Sequence, residues 1–202
     1  MLTYKYEAIR KLIHLSNLII PFFLFCYDKD FILIILLPIS IIFILFDYLR
    51  IINFKVSNFY NKYFSLITRD FESTRFTGAS YVLFSSSIII IIFPKDIAIT
   101  SLLIMSISDS FAALIGQKYG AIKFNDKTLE GSIAFFISSI LIVLSFSTIY
   151  IFPAMIAVVV TTFVESFRFF NLDDNLTVPL SFAITYSSLI YFLNNSIFLG
   201  IN

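Results

Sequence analysis

Four groups of ionisable side chains interrupt an otherwise apolar sequence, and their spacings are those of helix faces. Asp109 stands in SISDSFAALIGQKYG, residues 106–120, directly after a hydrophobic run. A carboxylate at membrane depth costs about 2.5–3.5 kcal/mol on insertion scales, so it faces a polar interior and marks function. Ala112, Ala113 and Gly116 follow it at i+3, i+4 and i+7 and share its face, which can therefore approach a neighbour closely. Near the amino end, Glu7, Arg10, Lys11 and His14 occupy i, i+3, i+4 and i+7 and make one polar stripe. Snorkelling accounts for Arg10 and Lys11 as interfacial anchors, but not for His14, which lies deeper, or for Glu7 on the same face. Asp47 and Arg50 form a further i, i+3 pair, which reads equally well as a structural ion pair or as part of a site.

The loop after Asp109, GQKYGAIKFNDKTLEGS, carries Lys118, Lys123 and Lys127, then Thr128, Glu130, Gly131 and Ser132 at the start of the next helix. Unpaired backbone N–H groups and the positive end of the helix dipole beside those lysines suit an anion, phosphate above all. The plainer reading makes Thr128 an ordinary N-cap. The last group is Glu165, Arg168, Asp173, Asp174 and Asn175, followed by Pro179, which is placed to open the final helix. Carboxylates converging on a phosphate site imply Mg²⁺, because a hard cation takes oxygen ligands and neutralises polyphosphate.

The elements that must position these groups are membrane spans. Of 202 residues 59% are hydrophobic and 13% charged, against about a quarter charged in an average soluble domain. The expected architecture is an all-α integral membrane protein. It forms a single polytopic domain over 1–202, a bundle of about seven helices drawn at 8–27, 31–49, 77–93, 97–117, 132–150, 153–169 and 178–199. The first segment has a basic start and a short apolar run, but no small-residue cleavage site follows it, and it reads as a retained helix. With the amino terminus in the cytoplasm, twelve of the fourteen basic residues lie inside and only Lys29 and Lys95 outside. Residues 50–76 form the longest connection, and NFKVSNFYNKYFSLI suits a helix lying in the headgroup layer.

Several classes of function fall away. The net charge of +1 and the lack of a separate basic block give no hint of nucleic-acid binding. One cysteine, Cys26, excludes an internal disulfide and a cysteine-based metal cluster. Glycines stand only at 78, 116, 120, 131 and 200, so neither a P-loop nor G-x-G-x-x-G can be written, and one histidine excludes H-E-x-x-H. An ion-coupled transporter with Asp109 and Glu165 as relay carboxylates is the rival from another class. Transporters commonly show paired repeats and a site reached from both sides, whereas here the polar groups crowd one face and no repeat is evident.

EAIRKLIH at the amino end, DSFAALIGQKYG with KTLEGS in the middle, and ESFRFFNLDDNLTVPL near the carboxyl end together resemble the CTP-dependent lipid kinases, which include dolichol kinase, phytol kinase and the yeast-type diacylglycerol kinase. The resemblance implies transfer of the terminal phosphate of CTP to a lipid alcohol, a prenol, polyprenol or diacylglycerol, at the cytoplasmic face. Separately, the lack of a transit peptide and the small size point to a bacterial inner membrane over an organelle. Carried over residue by residue, Arg10, Lys11 and His14 match the first motif, Asp109, Gly116, Gly120, Lys127, Thr128, Glu130 and Gly131 the second, and Glu165, Asp174 and Asn175 the third.

In that reading Lys118, Lys127, the glycines and the helix start at Thr128 hold phosphate, with Glu130 and Asn175 beside them. Asp109 and Asp174 take Mg²⁺, Arg10 and Lys11 offset developing charge, and His14 or Glu165 accepts the proton of the alcohol. The middle motif is also similar to phosphatidate cytidylyltransferase. That enzyme's His-Gly-Gly signature has no counterpart here, since His14 is the only histidine.

Overall fold

The computed structural model describes residues 4–64, 75–124, 127–146, 148–167 and 172–198. All seven apolar segments are helical, but among the described residues four helical stretches are long and apolar enough to cross a membrane: Ala8–Cys26, Lys29–Ile52, Lys95–Tyr119 and Asp174–Asn195. The other three, Gly78–Ile92, Leu129–Leu144 and Ile151–Phe167, are shorter apolar helices. Outward-facing Phe31, Ile34 and Ile42 on the second stretch are each half exposed or more, as a lipid-facing surface requires.

The first stretch is not continuous. Helix α1 (Tyr4–Leu15) passes through a 3₁₀ turn at Ser16–Leu18 into α2 (Ile19–Cys26). Pro21 explains the break: it lacks the N–H that would bond the carbonyl of Asn17, and its ring crowds that carbonyl. The tighter turn re-employs the group, since the Ile19 amide donates to the carbonyls of Asn17 and Ser16.

Helix α3 (Lys29–Ile52) buries Ile32, Leu36, Ser40, Asp47 and Arg50 and packs on α5 (Gly78–Ile92). Between them α4 (Phe54–Phe64) is helical, as its pattern suggests; residues 65–74, the rest of that connection, lie outside the described residues. The Asp47–Arg50 pair is structural. Asp47 Oδ1 accepts from Arg50 Nε at 2.9 Å, while Oδ2 accepts from the Thr77 amide at 2.7 Å, the Thr77 hydroxyl at 2.8 Å and the Ser80 hydroxyl at 2.7 Å. One carboxylate thus organises the start of α5, and Arg50 reaches on to the Arg75 carbonyl and the Tyr60 ring.

The third stretch is α6 (Lys95–Leu103), a π-helical turn at Ile104–Ser108, and α7 (Asp109–Tyr119). A two-residue hairpin follows, β1 (Lys123–Phe124) antiparallel to β2 (Lys127–Thr128), with Lys123 opposite Thr128. Among the described residues this hairpin is the one strand pairing in an otherwise helical fold. Helices α8 (Leu129–Leu144), α9 (Ile151–Phe167) and α10 (Asp174–Phe198) complete the order, α7 packing chiefly on α8 and α9 on α10.

Pro179 does not open α10, contrary to the sequence expectation. Asp173 caps it instead, its side chain accepting from the Asn175 amide at 2.9 Å and its carbonyl from the Leu176 and Thr177 amides. Pro179 then sits inside the helix, and the Asn175 carbonyl it leaves without an amide accepts from the Ser85 hydroxyl at 2.7 Å. The missing helical bond has become a contact between α10 and α5.

Asp47→Ala removes the counter-charge of an arginine that is 1% exposed and an acceptor for three donors. The expected cost is about 3–5 kcal/mol, as for a broken buried ion pair, read as a lowered circular-dichroism melting temperature in detergent micelles.

Candidate functional site

Lys11, 2% exposed, donates to Asp109 Oδ2 across 98 residues of sequence, joining α1 to the first residue of α7. The face that carries Lys11 also carries His14, one turn on, whose Nε2 is 3.2 Å from the Met105 carbonyl and 3.6 Å from Asp109 Oδ2. Met105 lies in the π-helical turn and Asp109 directly follows it; the wider spacing of such a turn displaces the backbone ladder, and such turns recur at functional sites. Its Ser106 carbonyl accepts from the Ser110 hydroxyl at 2.7 Å. No residue pattern announces this turn.

The second cluster centres on Lys127. The hairpin holds it just before α8, where its ammonium donates to Glu165 Oε1 on α9 at 2.5 Å and to Asp174 Oδ2 on α10 at 2.9 Å. Glu165 is 1% exposed and two residues from the end of α9, while Asp174 is the first residue of α10. Burial alone would lower the pKa of Lys127. The carboxylates of Asp174, Glu165 and Asp109 outweigh it and hold the ammonium above the usual lysine range. Lys127 therefore stays charged, and the influence of Asp109 on it links the two clusters electrostatically.

The glycines explain how α7 and α8 come this close. A Cβ on Gly116 would stand 2.7 Å from Thr128 Oγ1 and 3.3 Å from Gly131 Cα. One on Gly120 would stand 2.5 Å from Thr128 Cγ2, and one on Gly131 2.8 Å from the Ala112 carbonyl oxygen. The small face read from the sequence is thus the seam on which α8 starts. Thr128 caps α8, its hydroxyl accepting from the Gly131 amide at 3.2 Å. Glu130 Oε1 accepts from the amides of Ala121 and Ile122 at 3.0 and 3.2 Å and folds the loop back on the helix start.

Of the other expected site residues, Arg10 is half-buried on α1. Lys118 is exposed with its ammonium 5.0 Å from the centre of the Tyr119 ring. Asn175 bonds Asp173 through its side-chain nitrogen at 2.6 Å. The side chains of Glu7 and Arg168 lie outside the described residues. Two residues not singled out as site members, Asn17 and Ser166, adjoin it. Asn17 meets His14 Nδ1 at 3.2 Å, and the Ser166 hydroxyl joins Ser132 Oγ at 2.8 Å beside Glu165. A polar residue breaking an apolar segment was the only signal for Asn17.

Among the described residues no three His, Cys, Asp or Glu side chains converge as a metal centre made by protein alone. Glu165 and Asp174 nonetheless share one cation, Lys127. Asp109 also acts on that ammonium, and the carboxylates of Asp109 and Asp174 fit Mg²⁺ in the form in which it brings other ligands with it, on substrate phosphates.

Lys11→Met leaves Asp109 buried without its ammonium, at an expected cost of about 3–5 kcal/mol. Lys11→Met combined with Asp109→Asn recovers most of that loss, because neither charge is then stranded. Denaturation of the two single variants and the double variant in the same detergent measures the coupling.

The chain is 32% identical to an uncharacterised protein of Rickettsia prowazekii over 200 residues, 94% of this chain and 98% of that protein. More distant relatives are named CTP-dependent diacylglycerol kinase 1. The protein of Schizosaccharomyces pombe is 26% identical over 142 residues, 61% of this chain and 65% of that protein. The one from Eremothecium gossypii is 26% identical over 219 residues, 93% of this chain and 68% of that protein. No family model matches the chain. No solved structure matches it either.

Proposed function

The chain belongs to one family with the Rickettsia prowazekii protein, and from that premise we propose that it is a membrane lipid kinase, which moves the terminal phosphate of CTP to the hydroxyl of a lipid alcohol. The nucleotide and the choice of diacylglycerol as first acceptor are supported by the names of the more distant relatives. Prenols and polyprenols present the same primary hydroxyl and belong in the same panel. Seven membrane crossings with the site on the cytoplasmic side of a bacterial inner membrane are part of the proposal, supported by the distribution of lysine and arginine.

One observation carries the reading. Lys127 reaches from the start of α8 to carboxylates on two other helices, under the charge of an Asp109 that is itself held by Lys11. Ammonium groups alternating with carboxylates from several helices suit a polyphosphate and its counter-ion, and phosphoryl transfer is catalysed mainly by positioning and charge neutralisation.

In the reaction the lipid hydroxyl oxygen forms a bond to the terminal phosphorus, and the bond from that phosphorus to its bridging oxygen breaks. The electron pair leaves on CDP, and the hydroxyl proton passes to a base, for which His14 and Glu165 are the two candidates. Lys127 and the amides at the start of α8 hold phosphate oxygens, with Lys118 at the rim and the seam of Gly116, Gly120 and Gly131 setting the approach of α7. Arg10 and Lys11 offset charge that develops in the transition state. Asp109 and Asp174, directly or through water, would hold Mg²⁺. When bound, that ion supplies neutralisation of the phosphate charge.

Purified protein with CTP, Mg²⁺ and diacylglycerol is expected to release CDP and phosphatidate, and Asp109→Asn is expected to lower turnover on the order of 10²-fold or more. Appearance of pyrophosphate and a CDP-lipid would move the chain to cytidylyl transfer. Unchanged turnover in Asp109→Asn would sink the assignment of the site.

A further inference from the structure

We propose that Asn17 is a positioning residue that sets the imidazole of His14 as its Nε2–H tautomer, so that His14 donates a hydrogen bond beside Asp109 and is not the base that takes the alcohol's proton. The argument begins with Pro21. By removing the amide that Asn17 would bond, it tightens the chain into a 3₁₀ turn at Ser16–Leu18. Asn17, in that turn, follows His14 by three residues across the end of α1, and its side chain reaches the ring.

His14 Nε2 faces two oxygens, the Met105 carbonyl at 3.2 Å and Asp109 Oδ2 at 3.6 Å. A carbonyl oxygen only accepts, so the contact with Met105 is a hydrogen bond when Nε2 carries the proton. The remaining lone pair then lies on Nδ1, where the Asn17 side-chain nitrogen stands at 3.2 Å and donates. Around the ring are Asp109 from α7 and Lys11 and Arg10 from its own helix. With Nδ1 occupied by Asn17 and Nε2 already protonated, no lone pair of this ring is open to an alcohol. Of the two candidate bases, Glu165 is the one that remains.

Because His14 is the only histidine in the chain, its tautomer is readable without assignment. Protein labelled with ¹⁵N-histidine is studied in micelles near neutral pH, where the ring protons and their couplings show which nitrogen is protonated. Wild type is expected to show Nε2–H alone. Asn17→Asp replaces the donor at Nδ1 by an acceptor and is expected to move the proton to Nδ1 or to protonate both nitrogens. Its kcat for lipid phosphorylation is expected to fall about tenfold, the rate effect of roughly one hydrogen bond, with little change in KM for CTP.

An Nδ1–H ring or an imidazolium in wild type overturns the proposal, as does an Asn17→Asp protein with the wild-type spectrum and turnover. Where Asn17→Asp fails to fold, by circular dichroism, the wild-type spectrum alone decides. The kinetic arm rests on the proposed kinase activity. The expected spectra in a chain that phosphorylates no lipid would retain the role of Asn17 and remove the kinase reading.

Discussion

An ammonium and a carboxylate can be withdrawn from water together far more cheaply than singly. Lys11, Asp109 and Glu165 are at most 7% exposed, in a chain that is 59% hydrophobic. Each charge must therefore meet its partner, and the partners sit on different helices. Lys11 binds Asp109 across α1 and α7, and Lys127 binds both α9 and α10 from the threshold of α8. That requirement draws five parts of the chain to one place. The same rule acts at Asp47 and Arg50, but there the remaining valences are filled by the cap of α5, so the pair holds helices together and is not open to chemistry.

Burial of apolar surface cannot distinguish one helix pairing from another when lipid is as apolar as the core, so close approach and hydroxyl bonds matter more. The seam of Gly116, Gly120 and Gly131 lets α7 and α8 touch at backbone distance. Ser108 with Ser139 at 3.0 Å, Ser132 with Ser166 at 2.8 Å, and Ser181 with Thr161 at 3.3 Å tie successive helices through the interior. These are short side chains with little rotamer freedom to lose, suited to fixing the spacing of the charged groups above them.

Breaks in the backbone ladder supply the finer placement. Pro21 produces the 3₁₀ turn that carries Asn17 beside His14, Pro179 releases the carbonyl that Ser85 takes, and the π-helical turn offers Met105 to His14. In each case an interrupted helical segment becomes a contact between helices or beside the site. The irregular backbone is tolerated because a neighbouring side chain satisfies the group set free.

Much of this is written locally. Seven apolar segments, their helical nature and the stripe that puts Lys11 and His14 on one face follow from composition and the 3.6-residue period, which depend on neighbours a few positions apart. The small face of α7 and the capping of α8 by Thr128 are local in the same sense. Which charge meets which is not, because Lys11 and Asp109 stand 98 residues apart and Lys127 and Asp174 stand 47 apart. Period and propensity carry no information over such separations. The hairpin that delivers Lys127, the π-helical turn before Asp109, the capping role of Asp173 in place of Pro179, and the structural use of Asp47 with Arg50 were decided only when the helices packed. Each is a choice among alternative partners for the same polar group, and that choice depends on which neighbour comes within hydrogen-bonding distance.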